Sequence, residues 1–439
     1  MVNVWWIRRD IRTNDNAALY HALKSGQEVL PIFIFDTSIL NDLPKDDARV
    51  TFIQREISEL NNQLAHDFGS GIKTYHGKPV DIWEQIIKEN KVDTVFTNRD
   101  YEPYARDRDE AVKSFLLTNG IKYQDYKDHV IFQYDEVLKA DGTPYTVFTP
   151  YKNKWYEKLN SHLESGLSQF LKPYPSQDLL SSLHPLSDNK IHTLASMGFS
   201  HSSVKIPKKE VARILIKKYE STRNFPSIEG TSRLGIHFRF GTISIREKAL
   251  KAQGLSTTYL NELVWRDFYS MIIGNFPRVI SNSFRKEYDQ INWRNDEGEF
   301  KKWKEGKTGY PIVDAGMREL MKTGYMHNRV RMITASFLTK HLLIDWRWGE
   351  AHFAEKLLDF DLASNNGGWQ WASGSGTDAA PYFRIFSPAA QQEKFDKNYT
   401  YVKKWVPEFG TSAYPEPIVD HKEARERCLA AYKDGLNRN

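Results

Sequence analysis

The first 132 residues alternate between short β-rich runs and longer amphipathic stretches. The β-rich runs read VNVWWIRR, EVLPIFIFD, IKTYHG, DTVFTNR and IKYQDYKDHVIF. Between them lie stretches such as residues 49–68 and 104–117, whose apolar positions recur at helical spacing. Because parallel strands need a long, usually helical, crossover, this alternation predicts an α/β, doubly wound parallel-sheet domain over residues 1–132.

Polar residues follow two of these predicted strands. Asp36 comes after PIFIF, and Asn98, Arg99 and Asp100 come after TVFT. Open α/β sheets bind ligands at the carboxyl ends of their strands, so a ligand site is expected there. No GxGxxG follows a strand, which leaves a dinucleotide fingerprint unsupported.

The second part of the chain has a different pattern. Residues 166–203 are rich in Ser, Pro, Leu and His without a clear period, and we predict an interdomain linker at 133–203. After residue 203 helical periodicity dominates, in VARILIKKYESTRNF, STTYLNELVWRDFYSMII, GYPIVDAGMRELMKT and HNRVRMITASFLTKHLLIDW. An all-α domain is therefore predicted over residues 204–439.

Composition favours a soluble cytoplasmic protein. The 439 residues contain no apolar run near the ~18 residues that a membrane span needs, so no membrane partner is expected. Cys428 is the only cysteine, which suits a reducing compartment, and MVNVWWIRRD does not resemble a secretory signal. The net charge of +5 would assist binding to a polyanion, but many enzymes have a similar charge. Twelve tryptophans are the more unusual feature.

Familiar catalytic motifs are missing from the sequence. It has no His-Glu-x-x-His, no cysteine cluster and no Gly-x-Ser-x-Gly, so we predict no metal site and find no argument for a nucleophile elbow.

The stretch YLNELVWRDFY, residues 259–269, places polar and aromatic residues on one helical face. Tyr259, Glu262 and Arg266 stand at i, i+3 and i+7, and Trp265 follows Glu262 by three. Such a face suits a ligand with flat and polar parts. An ordinary amphipathic helix with a Glu–Arg pair remains an equally open interpretation.

Two further stretches suggest binding residues. In HNRVRM, Asn328, Arg331 and Met332 share one side of a helix and could meet a half-polar ligand edge, although a methionine at this spacing is often plain core. In EGTSRL, Thr231 and Ser232 are expected to cap a helix whose free N–H groups would suit a diphosphate; a capped helix that binds nothing is the alternative.

The stretch DFDLASNNGGWQW brings together acids, amides, glycines and two tryptophans. Asp359 and Asp361 precede Asn365, and the two glycines after it permit close approach to a large flat ligand. Trp369 and Trp371 would face opposite sides of a strand or lie apart around a helix, so they need not share one purpose. Either could be core.

Several long motifs in order resemble the photolyase/cryptochrome family, most closely class I cyclobutane pyrimidine dimer photolyases. They are EGTSRL, ELVWRDFY, WKEGKTGYPIVDAGMREL, TGYMHNRVRMITASFLTKHLLIDW, DLASNNGGWQWASGSGTDAAPYFRIFSP and YPEPIVDHKEAR. The resemblance implies an α/β domain, a linker and a helical FAD-binding domain. It also implies a monomeric carbon–carbon lyase that repairs UV-damaged single- or double-stranded DNA, with light driving electron transfer from FADH⁻ to a flipped-out dimer.

The resemblance assigns roles to individual residues. FAD contacts are implied at Tyr219, Thr231, Ser232, Arg233, Leu234, Gly235, Tyr259, Glu262, Arg266, Asn328, Arg331, Asp359, Asp361 and Asn365. Arg331 and Asp359 would pair beside the isoalloxazine, Asp361 would contact its pyrimidine edge and Asn365 would face N5. The dimer pocket is implied at Glu262, Trp265, Asn328, Arg329, Met332, Trp371 and Arg384, with the two arginines at phosphates.

Electron input and light harvesting are implied in the same way. Trp369, Trp346 and Trp293 match a three-tryptophan chain that reduces the oxidised flavin, although three separate core tryptophans would otherwise be the simpler interpretation. Glu102 resembles an acid that binds an antenna chromophore: methenyltetrahydrofolate, deazaflavin or flavin.

Two rival functions were weighed against repair. A cryptochrome-type blue-light photoreceptor would signal through its flavin redox state, but Met332 and Asn365 favour a dimer-repair enzyme. A generic flavin oxidoreductase lacks its dinucleotide fingerprint here.

Overall fold

The computed structural model describes residues 1–164, 166–187 and 190–437. It separates into two compact units. The first comprises Met1–Glu136, Trp155–Lys209 and Leu234–Gly254; the second comprises Val137–Lys154, Glu210–Arg233 and Leu255–Asn439. The boundaries predicted at residues 132 and 203 stay predictions.

A five-stranded parallel sheet forms the centre of the first unit, so the predicted sheet is confirmed. Its strand order is β3-β2-β1-β4-β5, with the order reversing at β1. Every residue of β2 is buried, as expected of a strand covered on both faces. The strands are β1 (Val2–Ile7), β2 (Val29–Asp36), β3 (Lys73–Gly77), β4 (Val92–Asn98) and β5 (Lys122–Tyr126).

Helices cover both faces of this sheet. Successive residues of β1 point to opposite sides: Trp5 joins one apolar cluster with Phe33 and Ile57, and Trp6 joins the other with Trp83. The helices between the strands are α1 (Ala17–Lys24), α2 (Thr37–Leu40), α3 (Ala48–Phe68), α4 (Pro79–Glu89) and α5 (Pro103–Thr118).

The rest of the chain is largely helical, as predicted. The first helices of this part are α6 (Phe148–Ser161), α7 (Arg213–Lys217), α8 (Tyr219–Thr222), α9 (Gly235–Arg239), α10 (Ile245–Gln253) and α11 (Thr257–Asn275). They are followed by α12 (Glu297–Lys304), α13 (Pro311–Thr323), α14 (Asn328–Ser336), α15 (Trp346–Lys356), α16 (Leu362–Ser373), α17 (Pro388–Phe395), α18 (Thr400–Trp405) and α19 (His421–Leu436). Among the described residues, no helix is long and apolar enough to cross a membrane.

The predicted linker contains the helix α6 (Phe148–Ser161) and, after it, only short elements. Two-residue strands at Leu163–Glu164 and Leu167–Ser168 pair with each other. Single 3-10 turns follow at Gln169–Leu171, Gln177–Ser182 and Ala195–Met197.

The core of the second unit is rich in tryptophan. Trp303, Val330, Trp346, Phe353 and Trp369 are almost completely buried in one apolar cluster, to which α12, α14, α15 and α16 all contribute. Much of the unusual tryptophan content of the chain is therefore packed beside the helices that carry the predicted site.

Candidate active site

A cavity of about 430 Å³ opens in the second unit. Acidic, basic and aromatic side chains line it together, which is typical of a ligand site. The lining residues are Arg223, Glu262, Trp265, Arg266, Tyr269, Asn328, Arg329, Arg331, Met332, Ala335, Phe353, Leu357, Asp359, Phe360, Asp361, Ser364, Asn365, Gly368, Trp369 and Trp371.

Helix α11 brings part of the predicted polar–aromatic face to this cavity. The helix begins after Ser256, whose hydroxyl accepts a hydrogen bond from the Tyr259 N–H at 3.2 Å. Glu262, Trp265 and Arg266 line the cavity, whereas Tyr259 is buried outside the lining. Three of the four residues that the helical spacing placed on one face therefore line the cavity.

The carboxylate of Glu262 forms an ion pair with Arg223. Burial raises the pKa of Glu262, although the charge and the hydrogen bond of Arg223 act to lower it. Arg223 precedes Glu262 by 39 residues, so the local sequence pattern gave no signal for this partner. The pair places a hydrogen-bonding carboxyl group at the cavity wall.

The indole of Trp265 stacks on one ring and lies near a second. Phe148 lies parallel to it, with the ring centroids 3.5 Å apart and an interplanar angle of 6°. The centroid of Tyr269 lies 5.4 Å from that of Trp265. The N–H of Phe148 donates to the carboxylate of Asp378 at 3.2 Å. Phe148 is not part of the lining, so it supports a side of Trp265 that the cavity does not reach.

Helix α14 supplies basic and amide side chains to another part of the cavity wall. It begins after His327, whose ring Nδ1 accepts from the Arg329 N–H at 3.1 Å. Arg329 donates from Nη2 to Asn224 at 2.7 Å, while its buried Nε has no hydrogen-bond partner. A buried guanidinium N–H without an acceptor suits an anionic oxygen from a ligand. Asn328 and Met332 line the cavity from the same helix.

Arg331 and Asp359 form a preassembled pair at the cavity. Nη2 of Arg331 lies 3.0 and 2.9 Å from the two carboxylate oxygens, and its Nε donates to the Met326 carbonyl at 2.7 Å. Burial disfavours the charged guanidinium, but the Asp359 carboxylate outweighs it and raises the pKa of Arg331. The pair thus offers both donors and acceptors without a net charge.

Helix α16 positions Asn365, the amide that the resemblance places at flavin N5. Asp361 caps the helix by accepting from the Ser364 N–H at 3.1 Å. One turn later, Asn365 donates from Nδ2 to the Glu350 carboxylate at 2.8 Å and to the Glu350 carbonyl at 3.1 Å. Burial raises the pKa of Glu350, while this hydrogen bond lowers it. Glu350 was not anticipated because it comes from α15.

Trp369 and Trp371 lie on the same helix with different surroundings. Trp369 is 2% exposed and packs edge-on against Phe353, with ring centroids 4.9 Å apart. Trp371 is half-buried, and its centroid lies 6.4 Å from that of Phe386. Both reach the cavity. Their separation of two residues around a helix explains why one is core and the other partly exposed.

The EGTSRL stretch forms a hydroxyl cluster with two tyrosines. The Thr231 hydroxyl lies 2.9 Å from that of Tyr325, and Tyr259 donates to the Ser232 hydroxyl at 3.2 Å. The Arg233 guanidinium lies over the Tyr325 ring, 4.6 Å from its centroid.

The predicted helix caps in this stretch are wrong. The next helix, α9, begins after Leu234 and has no side-chain cap. The hydroxyls of Thr231 and Ser232 are used by tyrosines instead, and Arg233 has a left-handed φ of 53° that separates them from the helix. Leu234 is buried, and Gly235 is the first residue of α9; both belong to the first unit.

The remaining predicted residues of the second unit lie outside the cavity lining. Tyr219 packs edge-on against Tyr259, with centroids 5.1 Å apart. Trp346 is buried in the core, Trp293 is half-buried against it, and Arg384 is exposed in the segment after α16.

Glu102 lies at the carboxyl end of the sheet in the first unit. Its carboxylate accepts hydrogen bonds from Arg9 at 3.0 Å and from Arg239. Arg9 also pairs with Asp100, at 2.9 Å. Asp100, one of the polar residues expected at this edge, and Glu102 therefore belong to a charge-compensated cluster.

Comparison with known proteins finds photolyases that match nearly the whole chain. A family model described as the FAD-binding domain of DNA photolyase matches residues 259–412, and one described as DNA photolyase matches residues 3–170. The deoxyribodipyrimidine photo-lyase of Escherichia coli is 37% identical to this chain, over 98% of each. The corresponding enzyme of a Synechococcus species is 36% identical over 98% of this chain and 96% of its own length. The chain belongs to the DNA photolyase family.

Solved photolyase structures share the fold. A class III photolyase from Agrobacterium tumefaciens is 33% identical, with a TM-score of 0.87, over 99% of this chain and 98% of its own. An archaeal photolyase from Sulfolobus tokodaii, crystallised with two FAD molecules, is 32% identical with a TM-score of 0.83, over 99% of this chain and 100% of its own. Together the relatives support DNA repair by photolyase activity.

The cavity fits the FAD of a photolyase. Most of its lining falls within the matched FAD-binding domain. A Cβ added to Gly368, which lines the cavity, would meet nothing within 4 Å, so the helix leaves room for a large ligand there. The Arg331–Asp359 pair matches a flat heterocycle with a polar edge.

Sequence reasoning missed several residues of this photolyase site. Tyr269 follows Arg266 by three residues, so extending the helical face of α11 by one turn would have found it. Arg223, Phe148 and Glu350 reach the site from other segments, and no local pattern points to them.

Proposed function

We propose that this protein repairs cyclobutane pyrimidine dimers in DNA by light-driven electron transfer from bound, fully reduced FAD to a dimer flipped out of the helix. One observation carries the proposal: aromatic walls, a carboxyl group and paired guanidinium groups line a single cavity. FAD, when bound, supplies the absorption of blue or near-ultraviolet light and the electron, and the protein supplies orientation and exclusion of water.

The lesion would be held by stacking and by a polar edge. Trp265 and Trp371 would form aromatic walls, each base–ring stack contributing about 1–3 kcal/mol. Phe148 supports Trp265 so that its ring keeps one orientation. Glu262, held by Arg223, would hydrogen-bond the pyrimidine edge, and its raised pKa is consistent with a buried acid that donates or accepts.

Asn328 and Met332 would meet the two halves of the dimer. The amide suits the carbonyl edge, and the thioether suits the apolar cyclobutane edge. Arg329, with its unpaired Nε, and the exposed Arg384 would meet phosphates of the DNA backbone.

The isoalloxazine would lie against α14 and α16. Arg331 and Asp359 would bind its polar edge as a neutral pair, and Asp361 and Arg266 would lie beside them. Asn365 would face N5, and the two hydrogen bonds to Glu350 fix its amide in one orientation.

The diphosphate and ribityl parts would use the neighbouring hydroxyl cluster. Thr231, Ser232 and Arg233 converge on Tyr325 and Tyr259, and the hydroxyl–hydroxyl bonds keep them close together. Tyr219 packs against the same cluster. Roles for Leu234 and Gly235 stay predictions.

Electrons would reach the flavin through tryptophan. Trp369 is the buried indole at the cavity, and Trp346 and Trp293 would continue the path to the surface. Indole is readily oxidised, so it can pass a hole onward without leaving its place.

Binding of an antenna chromophore at Glu102 stays a prediction. Methenyltetrahydrofolate, deazaflavin or flavin would have to compete with Arg9 and Arg239 for this carboxylate.

Lesion-selective binding tests the site directly. The FAD-loaded protein should bind an oligonucleotide with one thymine dimer more tightly than the same undamaged strand. Glu262→Gln should reduce that preference by about tenfold, as expected for losing roughly 1.4 kcal/mol at a buried polar contact. Equal affinity of the unmodified protein for both strands would contradict repair and would favour the photoreceptor alternative.

A further inference from the structure

Trp303 is in ring contact with Trp369, and the predicted electron path does not include it. The two ring centroids are 6.1 Å apart at an interplanar angle of 71°. Both side chains are almost completely buried in the core of the second unit. Trp303 is thus a direct indole neighbour of the tryptophan that lines the cavity.

The ring contacts continue from Trp303 to a partly exposed tryptophan. Phe300 stacks on Trp303 with centroids 5.8 Å apart, and it meets Trp348 at 5.3 Å. Trp348 is half-buried, so this row of rings leads from the core to solvent. Phe300 serves as a bridge only, because a benzene ring is much harder to oxidise than indole, and the Lys304 ammonium lies 4.8 Å from its centroid.

The predicted middle tryptophan makes no ring contact with its partners on that path. Among the described residues, Trp346 has no ring contact with Trp369 or Trp293. The Arg347 guanidinium lies 4.7 Å from the Trp346 ring, but it is paired with the carboxylates of Asp289 and Asp345, so its charge does not decide between the two paths.

Hydrogen bonding separates the two indoles further. The Nε1–H of Trp303 donates to the Thr334 carbonyl at 3.2 Å, whereas the buried Nε1–H of Trp346 has no acceptor among the residues that the structure describes. Oxidation makes an indole N–H a stronger donor, so an acceptor stabilises the oxidised ring and a missing acceptor does not.

We propose that Trp348 is a second surface electron donor, which reduces Trp369 through Trp303 in parallel with the predicted Trp346–Trp293 path. The proposal rests on the proposed function, because the oxidant is the photoexcited, oxidised flavin. Trp369 gives up one electron and takes one from Trp303, which takes one from Trp348. An external thiol then donates one electron to the oxidised Trp348 and releases its proton to solvent, and two of the resulting thiyl radicals couple to form a disulfide.

Single and double substitutions test this proposal. Oxidised, FAD-loaded protein is excited by a short flash, and the long-lived tryptophan radical and the flavin bleaching with a thiol are recorded. Trp293→Phe should retain both signals because the Trp348 branch remains. The double variant that carries Trp293→Phe and Trp348→Phe should lose both signals. This loss should exceed the sum of the losses in the two single variants. Loss of both signals in Trp293→Phe alone, or a double variant equal to Trp293→Phe, would overturn the proposal.

A matched control and a spectroscopic variant complete the test. Trp405 is a half-buried tryptophan packed against the same core, with no ring contact to Trp303 or Trp369 in the described part of the chain. Trp405→Phe in the Trp293→Phe background should keep the signals, and their loss there would contradict a specific branch. Trp348→Tyr in that background should end in a tyrosyl radical; a tryptophan radical at the end of the path would contradict it.

The two proposals fail in different experiments. Repair by chemically reduced protein does not need electron input through tryptophan. If that protein fails to repair dimers, while the radical is lost only in the double variant, the repair function is refuted and the branch is supported.

Discussion

At the scale of single residues, Trp369 and Trp371 have different surroundings although only two positions separate them. Trp369 is buried against Phe353 and Trp303, whereas Trp371 is half-buried at the cavity. The sequence could predict that they diverge, but it could not say which one is core. That depends on how α16 packs against α15, which no local pattern encodes.

We expect substitutions of these tryptophans to fail in different assays. Trp369→Phe should slow photoreduction of the bound flavin far more than it weakens dimer binding, because it interrupts electron input. Trp371→Phe should weaken dimer binding more, because a stacking wall worth about 1–3 kcal/mol is reduced. The measurements are flavin bleaching under light and affinity for the dimer-containing oligonucleotide. If Trp369→Phe reduces the bleaching rate and the affinity equally, this ring builds the pocket.

At the scale of helices, adjacent glycines of α16 make a sharp comparison. A Cβ on Gly367 would lie 2.2 Å from two ring carbons of Tyr269, whereas one on Gly368 would meet nothing within 4 Å. Gly367→Ala should therefore lower the free energy of unfolding by about 1–3 kcal/mol through overpacking. Gly368→Ala should leave it equal or raise it by up to about 1 kcal/mol, because alanine favours helix.

Urea unfolding of the apoprotein measures both variants. If Gly367→Ala is as stable as Gly368→Ala, then α11 and α16 do not pack as closely as the structure has them.

Helix boundaries show what periodicity could and could not predict. The stretch HNRVRMITASFLTKHLLIDW carries one continuous pattern, but the α-helix ends at Ser336, a π-helical turn follows at Phe337–His341, and Leu343 has a left-handed φ of 51°. VARILIKKYESTRNF likewise divides into α7 and α8. Apolar spacing predicts that a segment is helical; tertiary packing decides where its hydrogen-bond pattern changes.

At the scale of the whole molecule, buried histidines predict acid sensitivity. Burial lowers the pKa of His327 and of His352 to about 4, and that of His341 to about 3, from an ordinary value of 6.5. The folded protein keeps these rings neutral, whereas the unfolded chain binds protons below 6.5. The contribution of each histidine to the free energy of unfolding is therefore fully present above pH 6.5 and is lost as the pH falls towards 4, by about 1.4 kcal/mol for each pH unit.

His352→Gln checks this sign and isolates one histidine. The free energy of unfolding should fall less between about pH 7.5 and about pH 4.5 in the variant than in the unmodified protein. Buried carboxylates contribute equally to both proteins and cancel in the difference. The same pH slope in both would contradict a neutral, buried His352.

The parallel sheet and the helical FAD-binding region were predictable because long stretches of sequence carry their periods. For the site, the sequence predicted which residues belong to it but not how they contact one another. Motifs named Glu262, Arg331 and Asn365, but the partners that fix them, Arg223 and Glu350 among them, come from distant segments. Their identification needs the packed structure, since contacts between elements leave no periodic trace in the sequence.

Light-dependent loss of dimers tests the central claim most directly. Protein loaded with FAD and chemically reduced is mixed with an oligonucleotide that contains one thymine dimer, and half of the sample is kept in the dark. Restored thymines are then counted by chromatography in both halves. We expect the dimer to disappear only under blue or near-ultraviolet light, with each protein molecule repairing many dimers. Dimers that remain intact in the illuminated sample, although the protein carries reduced FAD, would contradict the repair function.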